Sequence, residues 1–238
     1  MFPVKAMILA AGYGKRLKPL TDKIPKALVE VNGIPMIEHV IRKLKGYGVN
    51  EVVVNTHYLS AQVEQFLASK DFGIKVKTLF EFDILGTGGA IKNAAELLAG
   101  TGPVIIYNAD VLSDCNLNDM YSFHLIREAD ITLAVNNRKS QRPLLIDQDD
   151  TVAGRIIGSK TEIANDYNGI IHQAGFCGMH IIEEKIFSLF PSENVFDIIP
   201  FYLSIAGNAK VKAFDIGKVK WYDLGKAETI KLLNKSTQ

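Results

Sequence analysis

The sequence predicts an α/β protein with a mixed, mainly parallel sheet flanked by helices, in a single domain with two lobes. Three observations carry this. Short apolar runs alternate with helix-spaced apolar residues through the first half, the pattern of a parallel sheet with covering helices. Glycine-containing loops follow apolar runs at Gly12, Gly14 and Gly86, and ligands of such sheets sit beyond the carboxyl ends of strands. No linker rich in Gly, Ser or Pro divides the 238 residues, a length that can bury a full core.

In chain order, Val4 to Ala10 is apolar apart from Lys5 and reads as a buried strand. Ala11 to Pro35 is a long proline-broken loop. Met36, Ile37, Val40, Ile41 and Leu44 recur at helical spacing and stop near Gly46 and Gly48. Glu51–Asn55 is a strand, Ala61–Leu67 a helix and Lys75–Phe80 a strand. Thr87-Gly88-Gly89 opens a helix running from Ala90 to Leu98. Val104–Tyr107 is a strand ending at Asn108-Ala109-Asp110, Met120–Arg127 a helix and Ile131–Asn136 a strand. Gly12 and Asp110 each follow a strand, so both fall on one edge of the sheet.

The second half is patterned differently. Pro143–Ile146 and Thr151–Ile157 flank D-Q-D-D and form a hairpin. Gly158–Gly169 is polar and reads as a surface excursion. Ala174–Ile182 is a strand, and Glu183–Phe190 is a short helix stopped by Pro191. Phe196–Ile205 is a helix interrupted by Pro200. Val211–Ile216 and Trp221–Leu224 are strands, and Ala227–Leu233 is the last helix.

Composition excludes several classes. A net charge of +1 argues against a general nucleic-acid binder, so the cations near the N-terminus are a local concentration. Two separated cysteines, Cys115 and Cys177, give neither a disulfide framework nor paired zinc ligands, and are expected as reduced thiols. The first residues lack a long apolar stretch for a signal peptide, and no run approaches the roughly 20 apolar residues of a membrane span. A cytoplasmic protein without membrane or nucleic-acid partners is expected.

The chemistry is concentrated in Met7 to Pro35. Gly12 and Gly14 end an apolar strand, and Lys15, Arg16, Lys18, Lys23 and Lys26 follow. Glycines let backbone N–H groups approach an anion and cations neutralise it. Position 17 is Leu17, so the three-glycine dinucleotide fingerprint is absent, and no G-K-[ST] follows for a P-loop. Two glycines alone favour a plain tight turn. Pro25-Lys26 in so long a loop shifts the reading towards a polyphosphate site. Asp110 and Asp223 each end a short apolar strand; either is a loop carboxylate, or together they hold a metal ion with substrate phosphates. Glu81 and Leu85-Gly86-Thr87-Gly88-Gly89-Ala90 offer either backbone that lies flat against a base or glycines that pack tightly on the sheet. The five histidines share no metal spacing, and Ser113 has no nucleophile-elbow context.

The run L-A-A-G-Y-G-K-R-L-K-P-L-T-D-K-I-P-K-A-L-V-E-V resembles the signature of the sugar-1-phosphate nucleotidyltransferases. L-G-T-G-G-A, N-A-D, G-F-C-G and W-Y-D-L-G extend the resemblance along the whole chain. It implies the Rossmann-like nucleotide-diphospho-sugar transferase fold with a smaller sugar-binding lobe: nucleotide binding in about residues 1–135, sugar binding and closure in about 136–238. It also implies a reaction, in which a sugar 1-phosphate oxygen attacks the α-phosphorus of a nucleoside triphosphate in line and pyrophosphate leaves. Carried over by motif position, Arg16 and Lys26 are catalytic, and Asp110 and Asp223 bind Mg2+. Leu9, Ala10, Ala11, Gly12, Gly14, Lys15, Glu81, Gly86 and Asn108 bind nucleotide, and Gly175, Phe176 and Gly178 line the sugar pocket. Arg155 or Lys160 stands where many relatives carry a sugar-phosphate lysine.

The short chain and the combination of motifs look most like N-acetylmuramate-1-phosphate uridylyltransferases, so UTP is the expected donor. L-G-T-G-G-A-I-K looks equally like mannose- or heptose-1-phosphate guanylyltransferases. A phosphocholine-type cytidylyltransferase and a non-catalytic nucleotide-sugar sensor are the remaining alternatives. The expected state is a monomer or small homo-oligomer.

Overall fold

A computed structural model describes residues 5–235. Val4 of the first predicted strand lies outside the described residues. The chain opens with β1 (Lys5–Leu9) and three short 3-10 turns (Lys15–Leu17, Leu20–Asp22, Lys26–Leu28). A small hairpin follows, β2 (Glu30–Val31) and β3 (Ile34–Pro35), and then α1 (Met36–Gly46). Next come β4 (Glu51–Thr56), α2 (Ser60–Ala68), β5 (Lys75–Phe80), α3 (Gly86–Leu98), β6 (Val104–Asn108), β7 (Val111–Ser113), α4 (Leu117–Ile126) and β8 (Ile131–Asn136). The second half holds β9 (Leu144–Ile146), β10 (Val152–Ile157), β11 (Lys160–Ile163), β12 (His172–Ile182), a 3-10 turn (Glu184–Leu189) and α5 (Ile198–Ile205). It closes with β13 (Val211–Asp215), β14 (Trp221–Asp223) and α6 (Ala227–Lys235).

Ten of these strands share one mixed sheet. β1 lies between β4 and β6, parallel to both, and β5 is parallel to β4. The chain therefore leaves β1 towards β4 and later crosses to β6 on the other side. The carboxyl ends of β1 and β6 flank that switch point, where open α/β sheets form a crevice. Antiparallel pairing takes over at β12, which joins β6, β8 and β9, and the ladder runs on through β10 to β11.

Side-chain alternation along β1 builds two cores. Ala6 and Ile8 face one side, packed with Val40, Ile41 and Leu44 of α1, Val63 and Leu67 of α2, and Met120 of α4. Met7 faces the other, with Ala90, Ile91, Ala94 and Leu98 of α3 and Phe201 and Tyr202 of α5. A third cluster of Leu17, Val29, Val31, Met36, Leu224 and Ile230 pins the glycine loop and the β2–β3 hairpin against the end of the chain. The long loop is thus fixed by burying its own leucines and valines.

Four local expectations need correction. The polar stretch expected as a surface excursion contains β11, whose residues Lys160–Ile163 pair with Gly154–Ile157. The loop after Asp110 contains β7, a three-residue strand without the length to give a periodic signal. Helix α3 begins at Gly86, where a helix opening at Thr87 is expected. Pro200 does not interrupt α5: Asp197 is the N-cap, so the proline lies in the first turn, where an N–H has no intrahelical partner. Among the described residues no helix is long and apolar enough to cross a membrane.

Candidate active site

Residues from both sides of the switch point line a cleft of about 300 Å³. β1 and the loop after it contribute Leu9, Ala10, Ala11 and Gly12; the loop also supplies Lys26. The end of β6 contributes Asn108, Ala109 and Asp110, while Glu81, Gly86, Thr87 and Asp197 enter from the flanking loops. A Cβ at Gly12 would meet no atom of the described residues within 4 Å, so this backbone borders open space. Gly14 has a structural duty. Its φ is +66°, its carbonyl accepts from Thr21 Oγ1 at 2.9 Å, and a Cβ would lie 2.9 Å from Thr21 Cγ2. That closure folds the loop back and sets Lys26 beside the strand ends.

Charged groups converge at the cleft edge. Lys26 Nζ forms an ion pair with Asp110, both groups half-buried. Arg16 bridges two carboxylates: Nη1 lies 3.0 Å from Asp223 Oδ2 and Nη2 lies 3.9 Å from Asp110 Oδ2. The pairing of β7 with β14 brings Asp223 there from the far end of the chain, opposite Val111, and Leu224 N–H donates to the Asp110 carbonyl at 2.8 Å. Burial pushes the Asp223 carboxyl up, but the Arg16 hydrogen bond, the Gly225 N–H and the charges of Arg16 and Lys26 outweigh it and hold it below the usual range.

Two aspartates bridged by one guanidinium fit a divalent cation in donor chemistry. Their oxygens are hard donors, and Mg2+ characteristically takes one or two carboxylates plus substrate phosphates. Among the described residues no group of three or more His, Cys, Asp or Glu could hold a metal. A pair is therefore what this edge offers, and the other positions would fall to phosphate and water.

The floor of the cleft is built by Asn55, which sequence reading missed. Its Oδ1 accepts from Ala10 N–H at 2.8 Å, and its Nδ2 donates to Glu81 Oε1 at 2.8 Å. Ala10 N–H is thus already committed within the protein. Glu81 is buried, and burial raises its carboxyl above the usual range against the pull of Asn55, Leu85 N–H and His57. Lys15 does not line the cleft; its Nζ lies 5.4 Å from the centroid of the Tyr13 ring.

The glycines of L-G-T-G-G resolve to packing, though against a loop and not the sheet. A Cβ at Gly86 would lie 2.6 Å from the Phe196 carbonyl oxygen, one at Gly88 would overlap the Phe196 ring, and one at Gly89 would overlap the Asn194 carbonyl. Gly88 and Gly89 N–H donate to that Phe196 oxygen at 2.9 and 3.2 Å. This clasp holds Asp197 at the boundary between the first cleft and a second one of about 310 Å³.

The second cleft is lined by Arg138, Ser140, Arg142, Arg155, Phe176 and His180, and it shares Leu9, Thr87, Asn108 and Asp197 with the first. Phe176, expected in the sugar pocket, lines this second cleft. Gly175 and Gly178 lie behind the wall: a Cβ at Gly175 would crowd Arg138, and one at Gly178 would crowd Asn108 and Val111. Lys160 is exposed and paired with Glu162, outside this lining. Burial pushes the His180 imidazole down to about 3, so it is neutral at physiological pH, and neither ring nitrogen has a hydrogen-bond partner among the described residues.

Residues 5–144 match the model of the family described as nucleotidyl transferase. The chain belongs to that family. Among curated relatives, this nucleotidyl transferase is 33% identical over 175 residues to the mannose-1-phosphate guanyltransferase of Gibberella zeae, covering 72% of this chain and 42% of that one. It is 32% identical over 136 residues to the D-glycero-alpha-D-manno-heptose 1-phosphate guanylyltransferase of Aneurinibacillus thermoaerophilus, covering 57% and 59%. The chain spans about half the length of these curated relatives. Among solved structures it superposes on HddC from Yersinia pseudotuberculosis with a TM-score of 0.79 at 23% identity, over 99% of this chain and all of that one, a likeness of fold. The expected nucleotide-diphospho-sugar transferase fold is thereby established.

Proposed function

We propose that the chain transfers a nucleotidyl group from a nucleoside triphosphate to a sugar 1-phosphate, releasing pyrophosphate. The observation that carries this is the convergence of Lys26, Arg16, Asp110 and Asp223 at the β1–β6 switch point. The triphosphate would lie in the first cleft, formed mainly by the part of the chain up to about residue 135. The sugar would lie in the second cleft, formed mainly by the part that follows. The two meet at Asn108 and Asp197.

At rest the two cations neutralise the two carboxylates. A polyphosphate offers Lys26 and Arg16 a stronger partner, leaving Asp110 and Asp223 to hold a divalent cation, proposed as Mg2+. The bound cation would supply neutralisation of the phosphate charge. Lys26, at the cleft edge, would contact the reacting phosphate. Arg16, more exposed, would stabilise the charge developing on the leaving pyrophosphate. A phosphate monoester is already ionised, so the attacking oxygen needs no protein base. The new bond joins that oxygen to the α-phosphorus, and the bond from the α-phosphorus to pyrophosphate breaks.

GTP is the proposed donor, in place of the UTP expected from the motifs. The relatives from Gibberella and Aneurinibacillus are named guanyl- or guanylyltransferases. Glu81 supports the same reading, since a carboxylate at the cleft floor suits the adjacent N–H groups of guanine, whereas uracil offers one N–H between two carbonyls. The test is a panel of the four ribonucleoside triphosphates and dTTP against hexose, heptose and amino-sugar 1-phosphates, read by magnesium-dependent pyrophosphate release. GTP with one acceptor class should dominate. Release with UTP at N-acetylmuramate 1-phosphate would restore the uridylyl reading, and no release from any pair would sink the enzyme.

A further inference from the structure

We propose that Asp197 selects the acceptor: its carboxylate takes hydrogen bonds from hydroxyls of the sugar where the two clefts meet. The inference deepens the acceptor reading given above and rests on it. Asp197 borders both clefts and, among the described residues, is the one carboxylate lining the second.

What sets Asp197 apart is that the protein makes no use of its side chain. It occupies the N-cap of α5, where an aspartate ordinarily accepts from a helical N–H, yet its carboxylate makes no such bond. Thr87 Oγ1 accepts from Ile198 N–H instead, at 2.9 Å. Among the described residues the exposed Asp197 carboxylate has no hydrogen bond and no ion pair. The other two carboxylates lining the first cleft are committed. Glu81 accepts from Asn55 Nδ2 at 2.8 Å and from Leu85 N–H at 3.4 Å, and Asp110 pairs with Lys26 and Arg16.

The segment that carries Asp197 is nonetheless tied at several points. The Phe196 carbonyl accepts from Gly88 and Gly89 N–H, and Phe196 N–H donates to the Leu85 carbonyl. One turn along α3, Lys92 Nζ lies 2.8, 2.9 and 3.1 Å from the Pro191, Ser192 and Glu193 carbonyl oxygens and 3.1 Å from Asn194 Oδ1. A carboxylate held in place but left without a partner is preorganised for a ligand.

Its charge decides which part of the ligand. A carboxylate repels the phosphates of both substrates, so its partner is an uncharged donor. Sugar hydroxyls are such donors, and two adjacent ones suit the two oxygens of a carboxylate. Arg138, Arg142 and Arg155 line the second cleft too, but a guanidinium only donates, which leaves Asp197 as the charged acceptor for a polyol there.

The test uses mannose, glucose and N-acetylglucosamine 1-phosphates, each beside analogues in which one hydroxyl at a time is replaced by fluorine, which does not donate. Affinities for the full chain are measured by calorimetry with magnesium and α,β-methylene-GTP. For the sugar that binds most tightly, fluorine at one position or at either of two adjacent ones should weaken binding by about tenfold or more, the worth of a charge-assisted hydrogen bond. In Asp197→Ser that ratio should fall to near one, and in Asp197→Asn, which keeps a neutral acceptor, to an intermediate value. Asn and Ser cap helices about as well as Asp, so a purely structural Asp197 would leave every ratio as it is. Unchanged ratios in Asp197→Ser overturn the proposal, as do ratios near one at every hydroxyl of the parent chain. So does an Asp197→Ser chain that loses discrimination between α,β-methylene-GTP and its 2′-deoxy or 3′-deoxy counterpart instead, since the carboxylate would then serve the ribose. No binding of any of the three sugars overturns this inference and the acceptor reading together. Pyrophosphate release with unchanged ratios would sink this inference alone. A ratio lost in Asp197→Ser, without pyrophosphate release from the parent chain, would sink only the transferase reading.

Discussion

Substituting Gly86 by alanine should damage both the fold and the boundary between the clefts. Its φ is +72°, a conformation that costs a residue bearing a Cβ about 1–2 kcal/mol. The new Cβ would lie 2.6 Å from Phe196 O and 3.0 Å from Phe196 C, both backbone atoms, so no flexible side chain can yield. The segment before α5 must shift, and overpacking of this kind costs about 1–3 kcal/mol. The segment is tied by Phe196 N–H to the Leu85 carbonyl at 3.0 Å and by Ile198 N–H to Thr87 Oγ1 at 2.9 Å, so relief at one point strains the others. Together the two effects reach about 2–5 kcal/mol, and at about 2–4 °C per kcal/mol for a chain of this size the melting temperature should fall by about 4–20 °C. Circular dichroism at 222 nm with heating measures this. Because Asp197 rides on the displaced segment, KM for the acceptor should rise as well. A melting temperature within about 1 °C of the parent chain would refute the packing argument.

Three further outcomes are expected. Lys26→Ala should lower kcat by about a hundredfold or more, the scale of losing a charge-stabilising donor, with the far-ultraviolet spectrum unchanged; a drop of less than about threefold would remove Lys26 from the reacting centre. Asp110→Asn and Asp223→Asn should each abolish magnesium-dependent turnover and weaken Mn2+ binding measured by electron paramagnetic resonance, and unchanged Mn2+ affinity in both would exclude them as ligands. Asp147 is buried, which pushes its carboxyl up, but the N–H groups of Asn168, Thr151 and Asp149 outweigh this and hold it below the usual range. Its contribution is therefore complete above the unfolded value near 3.8 and is lost as pH falls through the lower folded value. Asp147→Asn should cost about 1–3 kcal/mol in urea unfolding at pH 7 and distinctly less at pH 3, and an equal cost at both would contradict the account.

Much of the site was legible because its signals are local. The strand ends carrying Gly12 and Asp110 show as apolar runs, and the sheet's topology alone puts them on one edge. Asp223 was legible as a residue type in W-Y-D-L-G, but its route to Asp110 depends on β7 and β14, each of three residues. Strands that short leave no periodic trace. Asn55 was invisible for another reason: it ends an ordinary buried strand, and only the fold aims its amide at Ala10 and Glu81. Asp197, Arg138 and Arg142 escaped notice because their neighbours in space are distant in sequence. The glycines of L-G-T-G-G were ambiguous because close backbone approach leaves one sequence mark whether the neighbour is a base or a loop.

The fate of the triphosphate tests the central claim most directly. The chain is incubated with magnesium, the best acceptor from the panel, and GTP labelled in parallel reactions at the α- or the γ-phosphorus. The α label should appear in a sugar nucleotide and the γ label in pyrophosphate, with both transfers lost in Lys26→Ala. A γ label released as inorganic phosphate, or carried onto the sugar, would contradict nucleotidyl transfer at this centre.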